Sequence, residues 1–377
     1  MKRCYPMKQH ESNQPDRGFI QDFISVGVCF LLWRALLYLI ETIAPFLWPL
    51  RPNYIGLVTP WANFDGAHYT SIARDGYGAY QYAFFPVYPR FIGFVQQLTH
   101  APYEMIAVGI SHISFFTGLL LWWWYLEKAK NRLWTIALLL TYPASYYFAA
   151  AYSEGVFFAL AAGTLLSLNK RWWWTAGSLA GLASATRLAG VFLWLPIVIG
   201  MWQNRRIVRT VDWLAAFLPP LGLIGYMGYL WKASGDPLAF FHVQAAFGAG
   251  RSGSGLIFIP QVLWRYAMIF TTVPWRDFLY HIAALEFVSF IFALLLLFTA
   301  WRKSYPPGIL LYSACVLFLP TFTGTLSSMP RYILAAFPLF SVLGDLRSWR
   351  VKSLILIVFT ALFVYATTAF LRGYFIS

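Results

Sequence analysis

The chain has 377 residues, of which 59% are hydrophobic, 20% aromatic and only 11% charged, with a mean hydropathy of +0.59. Soluble domains carry about 25% charged residues, so this composition excludes a globular protein surrounded by water. The net charge of +14 sits in short loops between apolar runs, which points to membrane orientation rather than to nucleic acid.

A membrane span needs roughly 20 apolar residues, because a rise of 1.5 Å per residue must cross a core of about 30 Å. A polar tail, residues 1–18, precedes a first run from about 19 to 50 that is too long for a cleaved signal peptide and reads as a retained span. Further runs follow near 84–100, 104–126, 133–150, 155–169, 173–186, 188–202, 212–232, 280–301, 308–326, 331–346 and 353–371. The run at 84–100 contains Pro86 and Pro89 and reads equally well as re-entrant; the stretch 256–275 is similarly ambiguous. The expected fold is an all-α polytopic membrane protein with about eleven transmembrane helices in a single domain over 1–377. Cys4, Cys29 and Cys315 form no metal-ligand spacing and predict no disulfide framework. The sequence has no internal repeat, P-loop, zinc motif or nucleophile elbow.

Lysine and arginine set the expected orientation. Alternate loops, from the N-terminal tail through 128–132, 170–171, 205–209, 302–303 and 347–352, hold 17 cations against ten in the others. The bias places the N-terminus in the cytoplasm and residues 51–83 and 233–256 on the external or lumenal face. A cysteine at Ser252 should therefore react with an impermeant thiol reagent added outside. Labelling only after permeabilisation would reverse the orientation.

In chain order, the first chemistry-bearing motif is Thr59-Pro60-Trp61-Ala62-Asn63-Phe64-Asp65-Gly66-Ala67-His68-Tyr69, ending at Arg74-Asp75-Gly76. Thr59 before Pro60 reads as a helix start and Gly76 as a stop. Asp65, His68, Tyr69 and Ile72 fall on one helical face. That face is either a capped surface helix or a carboxylate and imidazole held together at the membrane boundary. Gly66 beside Asp65 is expected to let a ligand approach the backbone. The aromatic run Tyr82 to Tyr88 is either an interfacial belt or the wall of a sugar or prenyl site.

Tyr142-Pro143-Ala144-Ser145 and Ala151-Tyr152-Ser153-Glu154 interrupt an apolar run, and Thr186-Arg187 interrupts another on the same side. Interrupted runs with ionisable residues form either binding sites or a structural Glu–Arg pair. Gly235-Asp236-Pro237-Leu238 opens a long loop running to His242; Asp236 either caps the next helix or joins His242 in a site. Ser328-Met329-Pro330-Arg331 opens a late span, where Arg331 either pairs a phosphate or snorkels.

Taken in order, Asp65-Gly66-Ala67-His68-Tyr69, Ala83-Phe84-Phe85-Pro86-Val87-Tyr88-Pro89, Tyr142 to Ser145 with Ala150 to Glu154, Ala185-Thr186-Arg187, Gly235 to Leu238 and Pro330-Arg331-Tyr332 resemble the PIG-V-like mannosyltransferases, relatives of the enzyme that adds the second mannose of GPI anchors. The resemblance covers roughly residues 55–345. It implies a GT-C glycosyltransferase architecture, a polyprenyl-phosphate sugar as donor, a glycan or glycolipid acceptor, and a membrane-lipid setting. It also implies a catalytic acid in the first external loop, which Asp65 matches. Many such enzymes carry two adjacent acids there; this chain carries one, with Asp75 ten residues on. No cofactor or divalent metal is implied by the sequence. With Asp65 as base, the expected substrate-binding residues are His68, Tyr69, Tyr88, Glu154, Arg187, Asp236, His242 and Arg331. Direct displacement would invert the anomeric centre. The rival class is a polyprenyl-lipid transporter or flippase, which would share the broken helices; the absent repeat and the one-sided polar motifs favour the enzyme. A non-catalytic partner subunit would need every one of these motifs to be structural.

Overall fold

The computed structural model describes residues 15–52, 59–127, 129, 131–248 and 250–376. Cys4, the cations Lys2, Arg3, Lys8, Lys128 and Lys130, and residues 53–58 of the first polar loop lie outside the described residues. Every regular element among the described residues is helical. In a lipid core a helix satisfies its own backbone groups, which is why an apolar chain folds this way.

The chain begins with α1 (Pro15–Leu47), followed by α2 (Asp65–Asp75), α3 (Val87–Thr99), α4 (Tyr103–Tyr125) and α5 (Arg132–Leu140). The middle of the chain forms α6 (Glu154–Asn169), α7 (Trp173–Ser184), α8 (Trp194–Gln203), α9 (Leu218–Ser234) and the short α10 (Ala239–His242). The last part forms α11 (Ile259–Thr272), α12 (Phe278–Arg302), α13 (Pro307–Phe318), α14 (Met329–Ala335), α15 (Phe340–Gly344) and α16 (Trp349–Leu371). Five helices are long and apolar enough to cross a membrane among the described residues: Gly18–Leu47, Tyr103–Tyr125, Thr210–Ser234, Leu279–Arg302 and Trp349–Leu371. Their exposed Leu31, Leu32, Leu295 and Ile357 are the side chains that lipid covers.

The remaining apolar runs fold as shorter helices, among them three interrupted by turns. The run at 133–150 stops at Thr141 and restarts as a 3-10 turn at Ser145–Phe148. The run at 188–202 opens with a 3-10 segment, Leu188–Leu193, before α8. The run at 331–346 divides into α14, the turn Phe337–Leu339 and α15. The first two breaks fall at the Tyr142-Pro143 and Thr186-Arg187 interruptions read in the sequence. The third, at Phe337–Leu339, is not registered by apolar periodicity, because the residues on both sides are equally hydrophobic.

The core is built around α4, α6, α7 and α9, which pack in sequence. Small residues allow the close approach. A Cβ on Gly155 would lie 2.6 Å from the Ser111 carbonyl oxygen of α4, so only glycine fits there. That contact fixes the start of α6, where Glu154 sits.

The two ends of the helix bundle differ in chemistry. At one end, Arg132 pairs with Asp22 at 3.1 Å, Lys303 donates to the Asp345 carbonyl at 3.3 Å, and Lys352 lies over the Trp134 ring at 5.1 Å. This gathers three of the cation-rich loops. At the other end of α16, Asn63 donates to the Phe370 carbonyl at 3.1 Å. The 23 residues of α16 separate the two ends by about 35 Å at 1.5 Å per residue. The polar motifs singled out in the sequence collect at the Asn63 end.

Candidate active site

Thr59 caps a 3-10 turn over Pro60–Ala62 by accepting from the Trp61 N–H at 3.3 Å. The chain then turns through Phe64, whose φ of 55° is unusual for a bulky residue, and α2 starts at Asp65. Ring packing of Phe64 on Phe370 and Phe375 holds that strained turn. Asp65 thus occupies the first helical position, where the helix dipole favours an anion. Its N–H donates to the Tyr152 hydroxyl at 3.2 Å, and that hydroxyl donates to the Asn63 carbonyl at 3.0 Å. Ser328, with φ 64°, similarly precedes α14 and sets the direction in which Arg331 leaves the backbone.

Four charged side chains from four parts of the chain form one alternating row. Arg331 Nη1 donates to Asp65 Oδ2 at 2.7 Å. Arg331 Nε and Nη2 donate to Glu154 Oε1 at 2.8 and 2.7 Å. Arg187 Nη1 donates to the same oxygen at 2.6 Å and to Ser153 Oγ at 3.3 Å. The guanidinium of Arg331 also stacks near Tyr147 and Tyr152, 4.7 and 5.0 Å from their ring centres. Burial is graded along the row: the side chain of Glu154 is 4% exposed, Arg331 8%, Arg187 16% and Asp65 20%. Two carboxylates and two guanidiniums cancel, which is how so many charges are tolerated at this depth.

The row forms one wall of a cavity of about 300 Å³. Asp65, Tyr69, Arg187 and Arg331 line it, with Glu154 behind them. A fifth charge, Arg251, reaches in from the loop after α10; its Nη2 donates to Ser327 Oγ at 3.0 Å. Three guanidiniums against two carboxylates leave one positive charge in excess. Much of the remaining lining is aromatic: Phe84, Phe85, Phe240, Phe241, Phe247 and Phe322.

No protein-family model and no curated protein matches the sequence. Among solved structures, the chain is similar to ArnT from Cupriavidus metallidurans, crystallised with undecaprenyl phosphate, at 15% identity and a TM-score of 0.47. The match covers 86% of this chain and 62% of that one.

The other candidates from the sequence stand apart from the cavity wall. His68 lies on α2 but stacks on Phe84 at 5.0 Å, and its Nδ1 is 3.4 Å from Gln81 Nε2. Burial lowers the imidazole below its usual range, against the opposing charge of Asp65. Tyr88 is fully buried, and its hydroxyl is taken up by the Ala107 carbonyl at 2.9 Å and Ser111 Oγ at 2.8 Å. Its contact with the site is a ring-edge packing on Tyr69. Asp236 accepts from the Leu238 N–H at 2.9 Å, the turn-capping role, and its other oxygen takes His242 Nδ1 at 2.6 Å. The His242 bond holds the Asp236 carboxyl below its usual range. This exposed pair braces the turn into α10, whose Phe240 and Phe241 enter the cavity. Gly66 packs against Ala151, where a Cβ would come within 3.3 Å of the alanine Cβ; its missing side chain serves helix–loop packing and not a ligand.

Cavity residues that no sequence motif singles out include Arg251, Ser327, Phe247 and Phe322. Arg251 stands in the glycine-rich segment Gly248 to Gly255, and an arginine bracketed by glycines was the available signal. The grouping of three or more His, Cys, Asp or Glu side chains that could hold a metal ion does not occur among the described residues.

Proposed function

We propose that the protein is an integral-membrane glycosyltransferase of GT-C type. It moves a mannosyl or related hexosyl group from a polyprenyl-phosphate sugar to a hydroxyl of a glycan or glycolipid on the external or lumenal face. The observation that carries this reading is the state of Asp65. Arg331 holds Oδ2, while Oδ1 has no protein partner among the described residues and the side chain lines the cavity. The ordered resemblance to the PIG-V-like mannosyltransferases supports the same residue and the same donor class.

The chemistry follows from the residues. A carboxylate fixed by one oxygen keeps the other aimed at a reacting hydroxyl. Asp65 accepts the acceptor's proton as the acceptor oxygen bonds to the anomeric carbon. The bond from that carbon to the phosphate oxygen breaks, its electron pair leaves with the polyprenyl phosphate, and the anomeric configuration inverts. Charge builds on the departing phosphate, which the excess positive charge of the cavity stabilises. Arg331 spends its Nε, Nη1 and Nη2 on carboxylates, so it serves as a positioning residue for Asp65. Arg187 and Arg251 are the cations that meet the phosphate. The aromatic wall suits the sugar ring face and the first isoprene units.

Arg251→Gln should therefore raise the KM for a polyprenyl-phosphate sugar by about tenfold to a hundredfold, the worth of a hydrogen bond to a charged group, with a smaller change in kcat. Steady-state kinetics on the purified variant measure it. An unchanged KM would remove Arg251 from the phosphate site.

A further inference from the structure

Glu286 lies in the spanning helix α12, is buried to 6% exposure, and takes no part in the row of charges around Asp65. A carboxylate inside a span is costly and needs a partner. Its partners come from one place. The Tyr266 hydroxyl of α11 donates to Glu286 Oε2 and accepts from the Leu326 N–H at 3.0 Å. The Ser328 N–H donates to the carboxylate as well. Glu286 therefore grips the segment Leu326–Ser328 at two backbone amides, one directly and one through Tyr266.

That segment is the one that orients two arginines. Ser327 Oγ takes Arg251 Nη2 at 3.0 Å, and Ser328 Oγ lies 3.5 Å from the same nitrogen. The Ser328 carbonyl accepts from the Arg331 N–H at 2.9 Å and so starts α14. Arg251, from the loop after α10, and Arg265, from α11, both bear electrostatically on Glu286. The carboxyl group of Glu286 thus sits one layer behind the cavity, tied to Arg251 through the Ser327–Ser328 segment.

We propose that Glu286, with Tyr266, is a positioning device that holds Arg251 in the geometry that receives the anionic phosphate of a lipid donor. This rests on the functional reading above and assigns it a component outside the cavity wall. Polar groups that fix a ligand-binding side chain act by limiting the geometries it samples, so their loss weakens binding more than it weakens the fold.

The test is binding of polyprenyl phosphate, without a sugar, to the purified full-length protein in lipid nanodiscs. Glu286→Gln keeps the side-chain volume but loses an acceptor for the Ser328 N–H. Tyr266→Phe removes only the relay to Leu326. Each should weaken polyprenyl-phosphate binding by about tenfold, in line with loss of a hydrogen bond to a charged group. The double variant should be no weaker than about the worse single one, because both act through one segment. Wild-type affinity in both single variants, with intact thermal unfolding, would overturn the proposal. A Glu286→Gln protein that does not fold leaves Tyr266→Phe to decide it. If the wild-type protein itself does not bind polyprenyl phosphate, the donor assignment fails first. Weakened binding that is additive in the double variant would assign the two residues separate roles and contradict the shared device.

Discussion

Asp65→Asn should reduce turnover by about two to four orders of magnitude, the usual worth of a positioned general base. Asparagine keeps the shape and can still accept from Arg331, but it cannot take a proton from a hydroxyl. The fold should tolerate the change, because Asp65 is the most exposed of the four charges in the row, at 20% against 4% for Glu154. Donor binding should persist, since the proposed mechanism gives the phosphate to Arg187 and Arg251. The alternative role for Asp65 is an anchor for Arg331 at the start of α2. An anchor predicts a lower unfolding temperature with near-normal specific activity in the folded fraction. Measuring unfolding and turnover on one preparation separates the two. A folded variant with more than about a tenth of normal turnover would take Asp65 out of the chemistry.

Arg331→Lys should lower turnover by at least about tenfold while the KM for the donor changes little. The guanidinium bridges Asp65 at 2.7 Å and Glu154 at 2.8 and 2.7 Å, and stacks on Tyr147 and Tyr152. A lysine ammonium has three donors at one point and no plane, so it cannot span both carboxylates and stack as well. Asp65 would lose its fixed oxygen and with it the aim of the other. Stability should also fall. Breaking a buried pair by removing a partner costs about 3–5 kcal/mol, and lysine keeps part of that by remaining charged. A tenfold rise in donor KM with unchanged kcat would place Arg331 on the phosphate directly. Wild-type kinetics and wild-type unfolding together would show that the row is dispensable.

Much of the site is visible in the sequence because charge is scarce in it. In a chain with 11% charged residues, an acid or arginine that breaks or opens an apolar run is conspicuous, as Glu154, Arg187 and Arg331 are, and Asp65 stands out by the helical face it shares with His68 and Tyr69. Their convergence is not visible. Arg331 is 266 positions from Asp65 and 177 from Glu154; the packing of α14 against α6 brings it to Glu154, and the Tyr152 hydrogen bonds to the start of α2 bring Asp65 to the same place. Arg251 is hidden for a different reason: it sits in a loop, and a loop cation says nothing of its direction until the hydrogen bonds of Ser252 and Ile257 to the 322–323 backbone fix the loop's path. Tyr88 and His68 show the converse. His68 shares α2 with Asp65 and Tyr69, and Tyr88 follows the cavity residues Phe84 and Phe85 closely in sequence, yet Tyr88 turns toward Ser111 and His68 stacks on Phe84. The spans are legible as apolar runs, and the breaks at Thr141 and Leu188 are marked by Tyr142-Pro143 and Thr186-Arg187, whereas the turn Phe337–Leu339 lies between equally apolar residues and is not.

The central claim is transfer of a sugar from a polyprenyl phosphate with Asp65 as base. The most direct measurement incubates wild-type protein and Asp65→Asn, purified in lipid nanodiscs, with a panel of polyprenyl-phosphate hexoses and glycolipid acceptors, and follows released polyprenyl phosphate and glycosylated product. The account predicts one-to-one release and product formation by the wild type, inverted at the anomeric carbon, with product from Asp65→Asn lower by at least about a hundredfold. No turnover with any donor, alongside movement of the same lipids across vesicle bilayers that Asp65→Asn leaves intact, would contradict it.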